Sequence, residues 1–296
     1  MVAGLPTLRA YGAADAQVAI LRRITDGYRT TTMSTLRIAF LSALALEDRE
    51  PLFAAYAPVP RMRLNNGIRR RLAPLLGNDL ARIELATALT LSLPGAPIVY
   101  YGDEIGLGDN IALADRDGVR TPMQWDGRPH GGFSAAPDDH RLVLPVLDDS
   151  VYGYRRVSVA AQQDDPGSLL NRIRHWIRVR QQLGVFGAGT IRFLASDDPR
   201  VLAFVRGDGA QAVLVLANLS RKVETVRLRG LQVAGDELAR GQVAGEQMPG
   251  EQLPGKWMSV GSETGASIDI LDEDSLRAEL PASAIGWWTR VGQQNG

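Results

Sequence analysis

The chain has 296 residues, 45% of them hydrophobic and 22% charged, enough to bury two cores and too apolar for a disordered or collagen-like polypeptide. Thirty-three basic residues balance 33 acidic ones, so no global positive field exists to collect nucleic acid or anionic lipid, and neither is an expected partner. Cysteine is absent, which removes disulfides, thiolate nucleophiles and thiolate metal sites together.

In chain order, the opening Met-Val-Ala-Gly-Leu carries neither the basic nor the apolar region of a secretory signal. The longest apolar stretches, around Ile38–Leu46 and Ala96–Tyr101, fall short of the roughly 20 residues a membrane span needs. A cytoplasmic setting without a membrane partner is the expectation. From Asp79, an acidic N-cap candidate, good helix formers run to Leu93, and Pro94-Gly95 stops them, which predicts a mostly buried helix. Ala96–Tyr101 is β-branched and aromatic and reads as a buried strand. A helix feeding such a strand points to an α/β layer with a parallel sheet.

Residues 102–165 carry turn chemistry throughout, including Gly108-Asp109-Asn110, Asp117-Gly118 and Asp126-Gly127; a loop this long is uncommon unless it is functional. Asp165-Pro166 then predicts the start of an amphipathic helix up to Gly184, with Leu169, Leu170, Ile173, Trp176, Ile177 and Leu183 as its apolar stripe. Arg172, Arg174, Arg178 and Arg180 read as a solvated face over buried stems, as do Arg69, Arg70 and Arg71. Beyond Gly187 the period becomes two, over Thr190–Leu194, Val201–Arg206, Ala212–Leu219 and Glu224–Arg229. Short antiparallel strands at this spacing predict a sandwich, its core led by Val201, Phe204, Val213, Leu216 and Trp288. Gly235–Gly255 reads as a long loop, after which strands resume near Ser267 and end with Ala284–Val291.

The sequence lacks G-x-S-x-G, a Walker loop, G-x-G-x-x-G opening a helix, and H-E-x-x-H, which excludes several enzyme classes. His130, His140 and His175 are too scattered for a metal site. Asp109, Asp115 and Asp117 suit either turns or a hard cation, although their spacing does not match a twelve-residue calcium loop. No metal or cofactor is expected. What remains is Tyr100–Glu104 and the loop Asp115–Trp125. Guanidinium donors beside carboxylates and an indole face suit a neutral polyhydroxylated ligand.

At these residues a resemblance becomes specific. Gly95-x-Pro97-x-x-x-x-Gly102-x-Glu104 resembles the motif on the eighth barrel strand of the α-amylase superfamily, glycoside hydrolase family 13. Asp115-Arg-Asp-Gly-Val-Arg-Thr-Pro-Met-Gln-Trp125 is similar to the loop of its α-glucosidase and trehalose synthase members. Gly67–Asp79, Gly106–Ile111, Gly132-Phe-Ser134 and Val151–Tyr154 follow the trehalose synthase pattern. The resemblance implies a (β/α)8 barrel followed by an antiparallel β-sandwich domain, and conversion of maltose to trehalose by intramolecular glucosyl transfer. It also implies a retaining mechanism with an aspartate nucleophile and a glutamate acid/base, both on strands before the matched region.

A whole barrel takes about 250 residues, so the resemblance implies only its C-terminal portion. The expected domains are an unmatched segment 1–45, a barrel portion 46–187 with a long active-site loop, and a sandwich 188–296. Departures from the pattern accompany the matches: no His precedes His130, Ala112 stands where the loop has tryptophan, and Ser158 and Ala160 replace Asn and Glu. No catalytic residue is therefore assigned. By resemblance Arg120 binds the non-reducing glucose, the alternative being a loop brace paired with Asp115 or Asp117, while Gly95, Pro97, Gly102 and Glu104 form a structural motif. Thr30–Ser34 can be encoded so that the neighbouring frame reads Asn-His-Asp-Asp-Glu, an expectation of out-of-frame translation upstream of Leu46.

Three functions are compatible with these features: a truncated, inactive trehalose-synthase-like protein of carbohydrate metabolism, a subunit completed by a separately encoded N-terminal half, or a non-catalytic sugar-binding module. Maltose or trehalose is the expected ligand. Self-association, or pairing with a completing barrel fragment, is the expected partnership.

Overall fold

A computed structural model describes residues 46–65, 67–138, 142–231, 257–260, 265–271 and 275–290. The expectations for residues 1–45, for His140 and for the 235–255 loop lie outside these residues. The described residues fall into two compact units. One takes residues up to Thr87 together with Pro97–His175, and the other takes Ala88–Ala96 together with Trp176–Gly296.

In the first unit, helix α1 (Leu46–Tyr56) precedes a two-residue antiparallel hairpin, β1 (Arg63–Leu64) against β2 (Gly67–Ile68), and a single turn α2 (Leu72–Leu75). Helix α3 (Leu80–Ser92) begins where Asp79 Oδ1 accepts from the Arg82 backbone N–H at 3.3 Å, and it ends before Pro94. Among the described residues of 102–158, the regular structure is three short 3-10 turns, Asp103–Ile105, Asp117–Val119 and Pro129–Gly132. Ile105, Leu107, Met123, Leu147, Val157 and Leu170 pack into the core beneath them. Helix α4 (Val159–Gln163) is capped by Ser158, whose side chain accepts from Ala161 N.

Helix α5 (Leu169–Gln182) starts later than Asp165-Pro166 predicts. Asp165 spends its carboxylate on the Gly167 N–H (2.9 Å) and its carbonyl on Ser168 N (3.0 Å), which makes a turn, and Ser168 Oγ takes the cap position against Asn171 N.

The expectation of a barrel portion is overturned. No parallel strand occurs among the described residues, and Ala96–Tyr101 takes no regular secondary structure. A parallel strand exists only through hydrogen bonds to neighbours on its edges. Here Pro97 has no N–H to give, the Tyr100 carbonyl turns to Asp103 N (3.0 Å), and no strand lies alongside. Ile98 and Val99 are consequently exposed. The observed architecture is helices and loops with two separate antiparallel sheets, neither closed into a barrel.

Those sheets belong to the second unit, which also holds the short α6 (Val185–Ala188). The five-stranded sheet has the order β3-β5-β6-β11-β8, built from β3 (Ile191–Phe193), β5 (Val201–Arg206), β6 (Val213–Asn218), β11 (Ile285–Arg290) and β8 (Trp257–Ser259). The four-stranded sheet runs β4-β7-β10-β9, from β4 (Ala195–Ser196), β7 (Glu224–Arg229), β10 (Ser275–Leu280) and β9 (Ser267–Ile270). Strand β7 alternates, burying Glu224, Val226 and Leu228 and exposing Thr225, Arg227 and Arg229, as a strand with one solvated face must. Strands β5 and β6 are buried on both faces. Val201, Val205, Leu214, Leu216 and Trp288 meet Val226, Leu228 and Leu276 in the core between the sheets. Phe204, expected in that core, points the other way and meets Phe193 at 5.6 Å between ring centroids. Trp287, on the same strand as Trp288, packs edge-on against Trp176 at 4.5 Å and against Phe186 at 4.5 Å.

Candidate functional site

The loop from Asp109 to Trp125 begins at a backbone turn that only glycine fits. Gly102 has φ +87, and a Cβ there would stand 2.5 Å from Leu107 Cδ2 and 2.8 Å from its Cβ. The Leu107 N–H returns to the Gly102 carbonyl at 2.8 Å, so the chain reverses within five residues. Glu104 is half-buried here, and its Oε2 is sealed from solvent without a hydrogen-bond partner among the described residues.

Three consecutive arginines hold this turn and the loop, contrary to their reading as a solvated face. Arg71 is buried; it donates to the Tyr101 carbonyl at 2.7 Å, lies 3.5 Å from Asp103 Oδ1, and stacks over the Tyr100 and Tyr101 rings at 4.9 and 4.8 Å. Arg70 Nε meets Asp109 Oδ2 at 2.8 Å, and the same oxygen accepts the Arg71 backbone N–H at 2.9 Å. Asp109 is thereby committed to an ion pair, which removes it from the cation reading it shared with Asp115 and Asp117. Arg69, also buried, donates to the carbonyls of Ile111 (2.9 Å), Leu113 (2.5 Å), Asp115 (2.6 Å) and Arg61 (2.6 and 3.0 Å). Alternation along an extended segment puts Arg69 and Arg71 on one side and Arg70 on the other. That spacing beside a loop rich in aspartate was the signal available in the sequence.

The base of the loop closes where Asn110 N donates to the Gly118 carbonyl at 2.8 Å, and a Cβ on Gly118 would meet Asn110 O at 2.4 Å. Arg120 follows the Asp117–Val119 turn, its N–H on the Asp117 carbonyl at 2.9 Å. Its guanidinium is exposed and pairs with neither Asp115 nor Asp117 among the described residues; Asp115 lies 3.9 Å from Arg116 instead. The brace is Arg69. Thr121 is buried, and its carbonyl accepts from Tyr101 Oη at 2.9 Å, which ties the Arg120 loop to the turn at Gly102. Burial raises the Tyr101 hydroxyl above its ordinary value, as does Tyr100 beside it, so it stays a donor.

Downstream, Gln124 is buried and donates to the carbonyls of Tyr152, at 3.0 Å, and Val157. The backbone N–H groups of Val159 and Ala160 return to the carbonyls of Gln124 and Trp125 at 3.0 and 2.9 Å. Trp125 and Phe133 are left half in solvent, 50% and 52% exposed, although each carries a large apolar ring. His130 is buried, with Nε2 2.9 Å from the Ala136 carbonyl, and His175 is exposed. Gly95 falls in the second unit, where φ is +106 and its carbonyl accepts from Arg180 at 3.3 Å; Pro97 opens the segment that leads to Gly102. No group of three or more metal-ligating side chains occurs among the described residues, and no helix among them is long and apolar enough to cross a membrane.

The site is a surface loop stiffened by buried arginines, with one free guanidinium and exposed rings at its edge. The model of the alpha amylase catalytic domain matches residues 56–189, and the chain belongs to the α-amylase superfamily. Within it, this chain is a homologue of the trehalose synthases. It is 54% identical over 186 residues to the trehalose synthase of Pimelobacter sp. (strain R48), an overlap covering 62% of this chain and 32% of that protein. It is 52% identical over 198 residues to the trehalose synthase/amylase TreS of Mycolicibacterium smegmatis, covering 64% of this chain and 33% of that one. The chain thus spans about a third of the length of these curated relatives. Among solved structures, the alpha-amylase from H. orenii aligns with a TM-score of 0.53 at 20% identity, over 85% of this chain and 46% of that one. That likeness is one of fold alone.

Proposed function

We propose that this chain is the C-terminal part of a trehalose-synthase-like protein of carbohydrate metabolism. Arg120 and its loop bind a glucosyl unit of maltose or trehalose, and the chain by itself does not interconvert the two sugars. The observation that carries this reading is identity above 50% to trehalose synthases over only a third of their length. A retaining glycosyl transfer needs two carboxylates about 5 Å apart flanking the bond, and the barrier to be lowered is roughly 8 to 23 kcal/mol. A free guanidinium and aromatic faces bind sugar, but they do not supply the covalent nucleophile or the acid that this chemistry requires. Asp109, the most enclosed acid of the loop, is spent on Arg70.

The purified chain is to be incubated with maltose while trehalose and glucose are followed, and no turnover is expected. Turnover that survives stringent purification and is lost on mutating a carboxylate of this chain overturns the reading. Maltose affinity is to be titrated alongside. Arg120→Lys is expected to weaken it about tenfold, because a point charge cannot reproduce the guanidinium fork; unchanged affinity removes Arg120 from the sugar site.

A second reading is favoured by one observation, the exposure of Ile98 (56%) and Val99 (41%) in a segment with no paired neighbour among the described residues. A separately encoded N-terminal half that covers this segment completes the enzyme. Mixing the chain with the corresponding N-terminal portion of the Pimelobacter protein separates the readings: trehalose formation by the mixture alone supports completion.

A further inference from the structure

In the first unit a cavity of about 310 Å³ lies between the β1–β2 hairpin and the residues following Asn110, bordered by Arg61, Arg63, Leu64, Arg69, Ile111 and Asp115. Three guanidiniums and one carboxylate converge there in a chain whose net charge is zero. Arg69 is only 8% exposed, and every hydrogen bond it makes goes to a backbone carbonyl. Carbonyls satisfy its donors without neutralising its charge, and a buried charge in a low-dielectric setting projects its field into the adjoining space. Arg63 spends Nε on the Ala57 carbonyl at 2.8 Å and lies 4.7 Å over the Phe53 ring. That contact orients its guanidinium while leaving both terminal nitrogens without a partner among the described residues. The Arg61 side chain is exposed and makes no bond there either. The one acid, Asp115, is exposed and faces Arg116 at 3.9 Å.

A neutral sugar calls for acceptors as well as donors. Here the carbonyls of Arg61, Ile111, Leu113 and Asp115 are already taken by Arg69, so the free groups are almost all donors. The volume is at the lower end of small-molecule sites and exceeds what a bare phosphate fills, and Leu64 and Ile111 give it an apolar side. We propose that this cavity binds a phosphate monoester with a monosaccharide-sized body, the phosphate held by Arg61 and Arg63 in the field of Arg69. The proposal is independent of maltose binding at Arg120.

The test is calorimetric titration of the full chain with glucose 6-phosphate, inorganic phosphate and glucose. Glucose 6-phosphate is expected to bind more tightly than inorganic phosphate, and glucose about a hundredfold more weakly than the ester. Arg61→Glu, which breaks no side-chain bond, is expected to weaken the ester about tenfold or more, and Asp115→Asn, which keeps the backbone carbonyl that Arg69 uses, to tighten it about threefold. Arg178→Glu makes the same charge change at an exposed position on α5 outside the cavity, and it is expected to change affinity less than about twofold. Glucose binding as tightly as its phosphate, equal effects of Arg61→Glu and Arg178→Glu, or no saturable binding of either phosphate compound overturns the proposal.

Discussion

Gly102 and Arg206 show how much single positions decide. At Gly102 the backbone conformation and the space above it both exclude a side chain, since φ is +87 and Leu107 occupies the place of a Cβ. Gly102→Ala is expected to cost about 1–3 kcal/mol in urea denaturation, whereas Gly127→Ala, where a Cβ meets nothing within 4 Å, is expected to stay within about 0.5 kcal/mol. Equal costs would remove the role assigned to the turn. Arg206 is buried, and it donates to the carbonyls of Ser92, Val185, Phe186, Gly189 and Thr190 without a carboxylate partner among the described residues. Burial, and then Arg180 beside it, lower its pKa from the ordinary arginine range to about 10. The folded state therefore disfavours the charge. This penalty is fully present below pH 10 and lifts as pH rises above about 10 towards the ordinary arginine range, so Arg206 does not contribute to alkaline unfolding. The carbonyls are what it offsets: Arg206→Met is expected to destabilise by about 3 kcal/mol at pH 7, because it orphans several buried acceptors. A stabilised variant would show that desolvation outweighs the bonds. Arg206 does not announce its burial in the sequence, because its partners are backbone carbonyls, which no residue pattern encodes; for Arg69 and Arg71 the alternating spacing was the one signal available.

Elements divide in the same way. Strands β5 and β7 match their expected spans, and α3 ends where Pro94-Gly95 requires, because local alternation, capping and breakers set these limits. Strand β10 does not announce itself. Ser275–Leu280 reads Ser-Leu-Arg-Ala-Glu-Leu, mostly helix formers, and it is a strand because β7 and β9 pair with it on both sides, for example Ala278 with Val226 and with Ile268; pairing overrides propensity. Ala96–Tyr101 is the converse case, with strand composition and no partner strand. On β11 the alternation separates Trp287 from Trp288, but only packing gives each its neighbours. The indole N–H of Trp287 is buried without a partner among the described residues. Trp287→Phe is thus expected to cost only about 1 kcal/mol, since it removes an unsatisfied donor along with part of the ring, while Trp287→Ala is expected to cost about 3–5 kcal/mol by opening a cavity against Trp176 and Phe186. Thermal melts of both variants check this, and equal losses would mean that the N–H is satisfied.

For the whole molecule, Ile98 and Val99 stand exposed next to each other in the chain with no paired strand among the described residues, and adjoining exposed apolar side chains are where another chain is expected to pack. Sedimentation velocity of the full chain is expected to show self-association that Ile98→Lys with Val99→Lys reduces; a monodisperse monomer at high concentration would count against the face being adhesive. The sequence by itself determined the superfamily, the order of helical and strand-rich parts, and most strand limits. These rest on residue identity and short-range periodicity. Only the tertiary structure decided that Ala96–Tyr101 forms no strand, that three arginines stiffen the loop, and that Trp287 and Phe204 turn from the core between the sheets. Each of those outcomes depends on a neighbour remote in sequence, because a hydrogen bond or a buried face exists only when another part of the chain arrives to complete it.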